Sequence, residues 1–184
     1  KLMEQFWSDD MEGGDLRMQN PYWIAYRNPR NTDKKRYMLS LAASYDILPW
    51  LNLSGRVRLD NSNTLYTQKL YATSNSTITD GGENGHYTEA RGYNTQTYGD
   101  LMLTVNKSFV EDWSLNATVG ASINNIKADE LSYRGPIREN GLPNVFNVFD
   151  LDDVKKRAEK TGWHDQTQSL FASVEVGWQR MLYL

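Results

Sequence analysis

The sequence predicts an all-β fold in which antiparallel strands follow one another along the chain. Two observations predict it. Apolar and polar residues alternate along several segments, which is typical of strands that have one apolar and one polar face. The chain is polar overall, with a mean hydropathy of −0.67, yet 12% of its 184 residues are aromatic. Because disordered chains are poor in aromatic residues, we expect an ordered β protein.

The alternation predicts five strands in order, followed by the start of a sixth at residues 181–184. In the second strand, Leu53 and Val57 lie on the apolar face, whereas Asn52 and Ser54 lie on the polar face. The other four strands repeat this pattern. The five segments are residues 37–45, 51–60, 100–106, 113–123 and 170–178.

The composition of the polar face indicates where that face points. In a soluble sandwich it would meet bulk water and would be rich in Lys and Glu. Here it consists mostly of Ser, Thr, Asn and Gly, which suits a wet but enclosed lumen. We expect six of its residues to face this lumen: Asn52, Ser54, Arg56, Arg58, Thr104 and Asn116. We expect lipid on the opposite face, at Leu53, Val57, Leu103, Val119 and Val174.

Aromatic residues gather towards the strand ends, as they do at the two membrane interfaces of transmembrane barrels. The candidates for such an interface girdle are Trp50, Trp113, Trp178 and Tyr183. Periodicity leaves an alternative open, because strand-end aromatics also occur in ordinary protein cores.

The lengths of the connections between the predicted strands favour a transmembrane barrel over an ordinary protein core. Residues 46–50 and 106–112 form short turns, whereas residues 61–98 and 127–167 are far longer than usual hairpin loops. Outer-membrane barrels have short periplasmic turns and long extracellular loops in strict alternation. The sequence therefore predicts about six strands of an antiparallel transmembrane β-barrel with long extracellular loops, too few to close a barrel, which takes about eight strands at the least.

The long connections contain local signals of their own. Asp-Gly and Asn-Gly pairs in residues 80–85 predict the tight turn of a projecting hairpin. In the second connection, Leu151, Val154 and Ala158 recur at helical spacing, so residues 150–160 are expected to form a short amphipathic helix.

Several classes of function are disfavoured. The 20 basic and 23 acidic residues nearly cancel, which removes the electrostatic reason to expect nucleic-acid binding. Neither His86 nor His164 belongs to a catalytic or metal-binding motif, so each is expected to be a loop residue and no enzyme is expected. No cofactor is expected. Calcium remains a weak alternative at two acidic groups, which are Asp150, Asp152 and Asp153, or Asp9, Asp10, Glu12 and Asp15.

The chain contains six short motifs in a fixed order, which are residues 20–23 (NPYW), 48–56 (LPWLNLSGR), 98–103 (YGDLML), 143–147 (PNVFN), 168–172 (QSLFA) and 181–184 (MLYL). This ordered set resembles the mid-barrel region of SusC/RagA-type TonB-dependent transporters of Bacteroidetes. The resemblance covers nearly all of residues 1–184. It implies a barrel of about 22 strands around an N-terminal plug. Neither the plug nor the TonB box has a counterpart here, so the chain is expected to be a fragment.

The same resemblance implies import across the bacterial outer membrane. Its partners would be a SusD-like surface lipoprotein, the TonB complex and outer-membrane lipid, and its cargo an oligosaccharide or a peptide. We expect substrate or lipoprotein contacts on the long-loop side, at Tyr66, Tyr71, Tyr87 and Tyr93, although these rings could instead stiffen the hairpin. A soluble β-rich glycan-binding module is the alternative function, and an outer-membrane hydrolase is disfavoured by the missing motifs.

Overall fold

The computed structural model describes residues 20–110, 113–178 and 182–183. A short helix, α1 (Pro21–Arg27), precedes five long strands and a short one. The strands are β1 (Arg30–Leu48), β2 (Leu51–Tyr71), β3 (Gly85–Val110), β4 (Trp113–Pro136), β5 (Arg157–Trp178) and β6 (Leu182–Tyr183). A 3-10 helix, Val148–Asp150, lies between β4 and β5.

The strands form a single antiparallel sheet in the order β1-β2-β3-β4-β5-β6, so each strand pairs with its neighbours in sequence. The predicted all-β antiparallel architecture is therefore confirmed. The sixth strand is also present, with Gly177 opposite Tyr183 and Trp178 opposite Leu182. Among the described residues, no helix has both the length and the apolar character needed to cross a membrane.

The strands are longer than the alternation predicted. β2 continues to Tyr71 and β3 already begins at Gly85, so the first long connection shrinks to residues 72–84. The second shrinks to residues 137–156. Polar Thr, Asn and Tyr residues blur the alternation there, but backbone pairing with the neighbouring strand continues regardless of side-chain polarity. The turn between β1 and β2 consists of residues 49–50, and residues 111–112 lie outside the described chain.

The predicted helix at residues 150–160 is wrong. Leu151 adopts an extended backbone conformation and pairs with Ile137 in an isolated antiparallel bridge, and β5 begins at Arg157. Both bridge residues are almost completely buried, with exposures of 2% and 1%. Burial of this pair outweighs the weak local preference for a helix. Val154, on the expected apolar face, is 92% exposed.

Contacts within the chain define two compact units. The loop unit comprises residues 20–35, 63–93 and 129–162, and the strand unit comprises the described parts of residues 36–62, 94–128 and 163–184. The buried apolar side chains of the described chain are Trp23, Leu70, Tyr87, Ile137 and Leu151, all in the loop unit. The strand unit is therefore a sheet whose apolar side chains are not buried within the described chain.

The turn that precedes β3 has the geometry expected from its Asp-Gly pair. Asp80 and Gly81 have positive φ angles of 53° and 76°, in the left-handed region that Asp and Gly tolerate best. Gly85 has a φ of 112°, and a Cβ atom there would lie 2.6 Å from the carbonyl oxygen of Leu70. The close approach of β2 thus requires glycine at the start of β3.

Candidate functional site

The polar face of the strand unit contains a charged pair that joins β2 to β3. Arg56 Nε donates to Asp100 Oδ2 at 2.9 Å, and Arg56 Nη2 lies 2.8 Å from the same oxygen. The Asp100 side chain is only 2% exposed. The ring of Tyr98 lies 5.5 Å from the guanidinium carbon, close enough for a cation–π contact. Arg56 therefore pairs with one oxygen of a buried carboxylate and joins β2 to β3.

Further polar contacts cross the strands of this unit. Asn52 Nδ2 donates to Ser44 Oγ at 2.8 Å and to Asp46 Oδ1 at 2.6 Å. The hydroxyl groups of Thr104 and Thr118 lie 3.3 Å apart, and Arg36 forms an ion pair with Asp60. Cross-strand contacts require the paired side chains to share a face. Three of the residues expected in the lumen, Asn52, Arg56 and Thr104, thus each lie on the same face as a polar partner.

The other expected lumen residues, Ser54, Arg58 and Asn116, lie in β2 and β4. Val57, Val119 and Val174, expected to face lipid, are 56%, 48% and 64% exposed. Such exposure leaves these apolar side chains available for contact with lipid. The assignment of lumen and lipid to the two faces stays a prediction.

The expected interface aromatics lie at strand ends. Trp50 is in the turn between β1 and β2, with Lys107 Nζ 4.7 Å from its ring centre. Trp113 is the first residue of β4, Trp178 is the last of β5, and Tyr183 belongs to β6. Their contact with a membrane interface stays a prediction.

The four candidate tyrosines have different environments. The Tyr71 ring meets Phe146 edge-on at 4.9 Å, and Tyr87, only 5% exposed, lies 6.2 Å from Phe146 and donates to Glu89 Oε2 at 2.8 Å. The Tyr66 hydroxyl donates to Gln68 Oε1 at 3.4 Å, and Tyr93 is 52% exposed. Tyr71 and Tyr87 therefore pack within the loop unit, and Tyr93 presents the most accessible ring of the four.

Sequence reasoning missed a cavity of about 920 Å³ in the loop unit. Residues from α1, β1, β2, β3, β4 and the connection at 72–84 line it, including Arg30, Arg134, Asp80 and His86. His86 is 6% exposed, with its Nε2 atom 3.3 Å from Asp80 Oδ2. It is the second residue of β3, and His164 lies in β5, so the expectation that both are loop residues is wrong. No sequence motif links these cavity residues, which come from separate segments.

The three described aspartates considered for calcium, Asp150, Asp152 and Asp153, have partners within the protein. Asp150 lies 3.4 Å from Arg138, and Asp153 lies 2.6 Å from Lys156. The Asp152 carboxylate accepts backbone N–H groups of Val154 and Lys155 at 2.9 Å each, which lowers its pKa below the ordinary value. Within the described ranges, no three acidic, His or Cys side chains gather as metal ligands. Asp9, Asp10, Glu12 and Asp15 lie outside those ranges.

Comparison with known proteins gives a match of fold. The chain matches no protein-family model and no curated protein. It is similar to a solved structure of the RagAB peptide transporter, with 16% identity and a TM-score of 0.72. It is also similar to the RagAB peptide importer in the open-open and closed-closed states, with 15% and 18% identity and a TM-score of 0.71 for both.

Each of these matches covers 90% of this chain and 18% of the solved chain. The chain thus spans about a fifth of the length of the transporters that it resembles. At such low identity the similarity shows the fold, and it agrees with the barrel segment predicted from the sequence.

Proposed function

We propose that this chain forms part of the barrel wall of a SusC/RagA-type, TonB-dependent importer in the bacterial outer membrane. One observation carries the proposal: 90% of the chain matches part of the RagAB peptide transporter with a TM-score of 0.72. The motif resemblance and the antiparallel order of the strands point to the same class of protein.

The distribution of apolar residues supports a membrane setting. Leu39, Leu41 and Leu170 in the strand unit are 70%, 72% and 82% exposed, and the buried apolar side chains of the described chain belong to the loop unit. If water met both faces of the sheet, this large apolar surface would be exposed to water, which soluble proteins avoid. Lipid on the apolar face would cover this surface. Backbone polar groups in lipid must be hydrogen-bonded within the protein, and pairing between neighbouring strands meets this requirement.

The proposed substrates and partners belong to the complete importer. We favour peptides as cargo over glycans because the neighbours of known structure are described as peptide transporters. The partners would be a SusD-like surface lipoprotein and the TonB complex. The alternative, a soluble glycan-binding module, fits less well because Tyr71 and Tyr87 are packed against Phe146 and not presented as sugar platforms.

Fractionation and uptake together test this proposal. The full-length protein should sediment with outer membranes and require detergent for extraction. Deletion of its gene should reduce uptake of short peptides, and an uncoupler of the proton gradient should reproduce the loss in the wild type. A gene copy in trans, which should restore uptake, is the control. The proposal would be contradicted if the protein were recovered in the soluble fraction. It would also be contradicted if neither the deletion nor the uncoupler changed peptide uptake.

A further inference from the structure

We infer that the cavity of the loop unit binds the terminal carboxylate of a short peptide, with Arg30 and Arg134 as the cationic groups. The inference rests on the proposed import function for the choice of a small external ligand. The cavity measures about 920 Å³, within the size range of small-ligand sites. It lies entirely within the loop unit, so one compact part of the chain provides its walls.

The charges of the cavity favour an anion. Arg30 and Arg134 line it, and within the described ranges neither guanidinium has a carboxylate at ion-pair distance. Asp80 also lines the cavity, but its carboxylate is engaged by His86 Nε2 at 3.3 Å. The guanidinium fork matches a carboxylate in geometry, because two parallel N–H groups can donate to its two oxygens. These residues can therefore bind a carboxylate, which is the anion that a peptide supplies.

The buried histidine adds a second requirement. His86 lines the cavity and is 6% exposed, and its Nδ1 atom has no hydrogen-bond partner in the described chain. When Nε2–H donates to Asp80, Nδ1 of the neutral ring becomes an acceptor. Buried acceptors without partners are unfavourable, and no described residue supplies a donor, so Nδ1 can accept an N–H group from a bound ligand. The last residue of a peptide offers both groups, since its backbone N–H lies next to its carboxylate.

The rest of the wall distinguishes a peptide from an acidic sugar. Ile24, Pro29, Leu70 and Ile78 form an aliphatic surface, which suits an apolar side chain. No Phe, Tyr or Trp is among the described residues that line the cavity. A sugar ring would gain most from the flat face of an aromatic side chain, which combines apolar contact with polar edges. The cavity therefore fits a peptide terminus better than a uronic acid.

Calorimetric titration of the full-length protein in detergent tests the site. The probes are a tripeptide with an apolar last residue, the same tripeptide with a C-terminal amide, and a uronic-acid oligosaccharide. We expect the free acid to bind at least ~10-fold more tightly than the amide, as is typical for a charge-assisted hydrogen bond. Arg134→Gln should weaken binding of the acid by a similar factor and leave the amide unchanged. Arg157→Gln, an exposed arginine in β5 of the same unit, is the matched control and should change neither.

Equal binding of acid and amide by the unchanged protein would overturn the inference, and this comparison does not depend on the folding of any variant. Tighter binding of the oligosaccharide, or equal effects of Arg134→Gln and Arg157→Gln, would also overturn it. Uptake measured separately distinguishes the two proposals. Acid-selective binding without energised uptake would support this site and contradict the transport function.

Discussion

The carboxylate of Asp100 illustrates, at the scale of one residue, how a charge is accommodated on the polar face of the strand unit. Its Oδ2 atom meets both Nε and Nη2 of Arg56, whereas its Oδ1 atom has no partner in the described chain. A buried carboxylate whose partner is removed is strongly unfavourable. Arg56 is therefore required by Asp100, which explains the presence of this charged residue on the polar face of β2.

Gly120 provides a test of packing at the same scale. A Cβ atom at this position would lie 2.5 Å and 2.6 Å from two ring atoms of Phe171. Because the ring is 40% exposed and can swing outward, Gly120→Ala should destabilise the protein by only about 1 kcal/mol, the lower end of the usual cost of overpacking. The measurement is urea unfolding of the full-length protein in detergent micelles.

The double variant Gly120→Ala with Phe171→Ala is the control for this prediction. Removing the ring removes the two shortest contacts and leaves Met102 Cγ at 3.0 Å, so adding Ala at position 120 should cost less in the Phe171→Ala background than in the wild type. Equal costs in the two backgrounds would show that the ring does not set the requirement for glycine.

At the scale of elements, Asn84 joins the two long connections of the loop unit. Its Nδ2 atom donates to the carbonyl oxygens of Arg138 at 2.8 Å, Glu139 at 3.0 Å and Gly141 at 3.2 Å. Asn144 N donates to the Asn84 carbonyl at 2.9 Å, and Asn144 Oδ1 accepts from Ala72 N at 2.7 Å. Two side-chain amides thus connect residues 72–84 to residues 137–156.

We expect Asn84→Ala to loosen the second connection, because three backbone carbonyls lose their donor. Each lost hydrogen bond is worth about 1 kcal/mol, and water will replace part of it at this half-buried position. Hydrogen exchange of residues 137–147 should become several-fold faster. Asn140→Ala, in the same connection, should leave exchange nearly unchanged, and equal exchange in both variants would contradict the role assigned to Asn84.

The turn at Asp152 predicts a dependence on pH. The backbone N–H groups of Lys155 and Val154 donate to its carboxylate and lower its pKa. The folded turn therefore stabilises the ionised form. This stabilisation is fully present above the ordinary pKa of about 4 and is lost as the pH falls through the lower pKa of the folded state.

An NMR titration of the Asp152 carboxyl carbon should give a midpoint below that of an ordinary aspartate, with Asp152→Asn identifying the signal. Loss of this stabilisation in acid should open the turn at residues 152–156, and Asp152→Asn should remove that dependence on pH. A midpoint at or above the ordinary value would show that the turn does not favour the carboxylate.

At the scale of the whole molecule, the proposal requires the two sheet faces to meet different solvents. Val119 and Asn116 provide the test, since both lie in β4 and alternation places them on opposite faces. Val119→Arg should destabilise the full-length barrel in lipid vesicles by about 2 to 4 kcal/mol if the residue lies near mid-depth. Asn116→Arg should cost much less, because its side chain would enter the wet lumen.

Urea unfolding from vesicles measures both variants against the wild type. Equal costs would contradict the assignment of faces, and a larger cost for Asn116→Arg would reverse it. A soluble β protein would differ from both outcomes, because it would fold without lipid vesicles.

The sequence by itself determined the strands, their alternating faces and the position of the Asp-Gly turn. These features depend on local chemistry, namely a side-chain period of two along a strand and the tolerance of Asp80 and Gly81 for positive φ angles. The antiparallel pairing of β1 with β2 also follows from the two-residue turn at residues 49–50, whereas longer connections join β2 to β3 and β4 to β5.

Tertiary structure decided where the strands end and what residues 150–160 form, because burial of Leu151 against Ile137 outweighs the helical spacing of that segment. It also decided the cavity. Arg30, Asp80, His86 and Arg134 come from separate segments that strand pairing and the connection at 72–84 bring together. Such a site has no local pattern, since its chemistry arises from proximity in space and not from spacing along the chain.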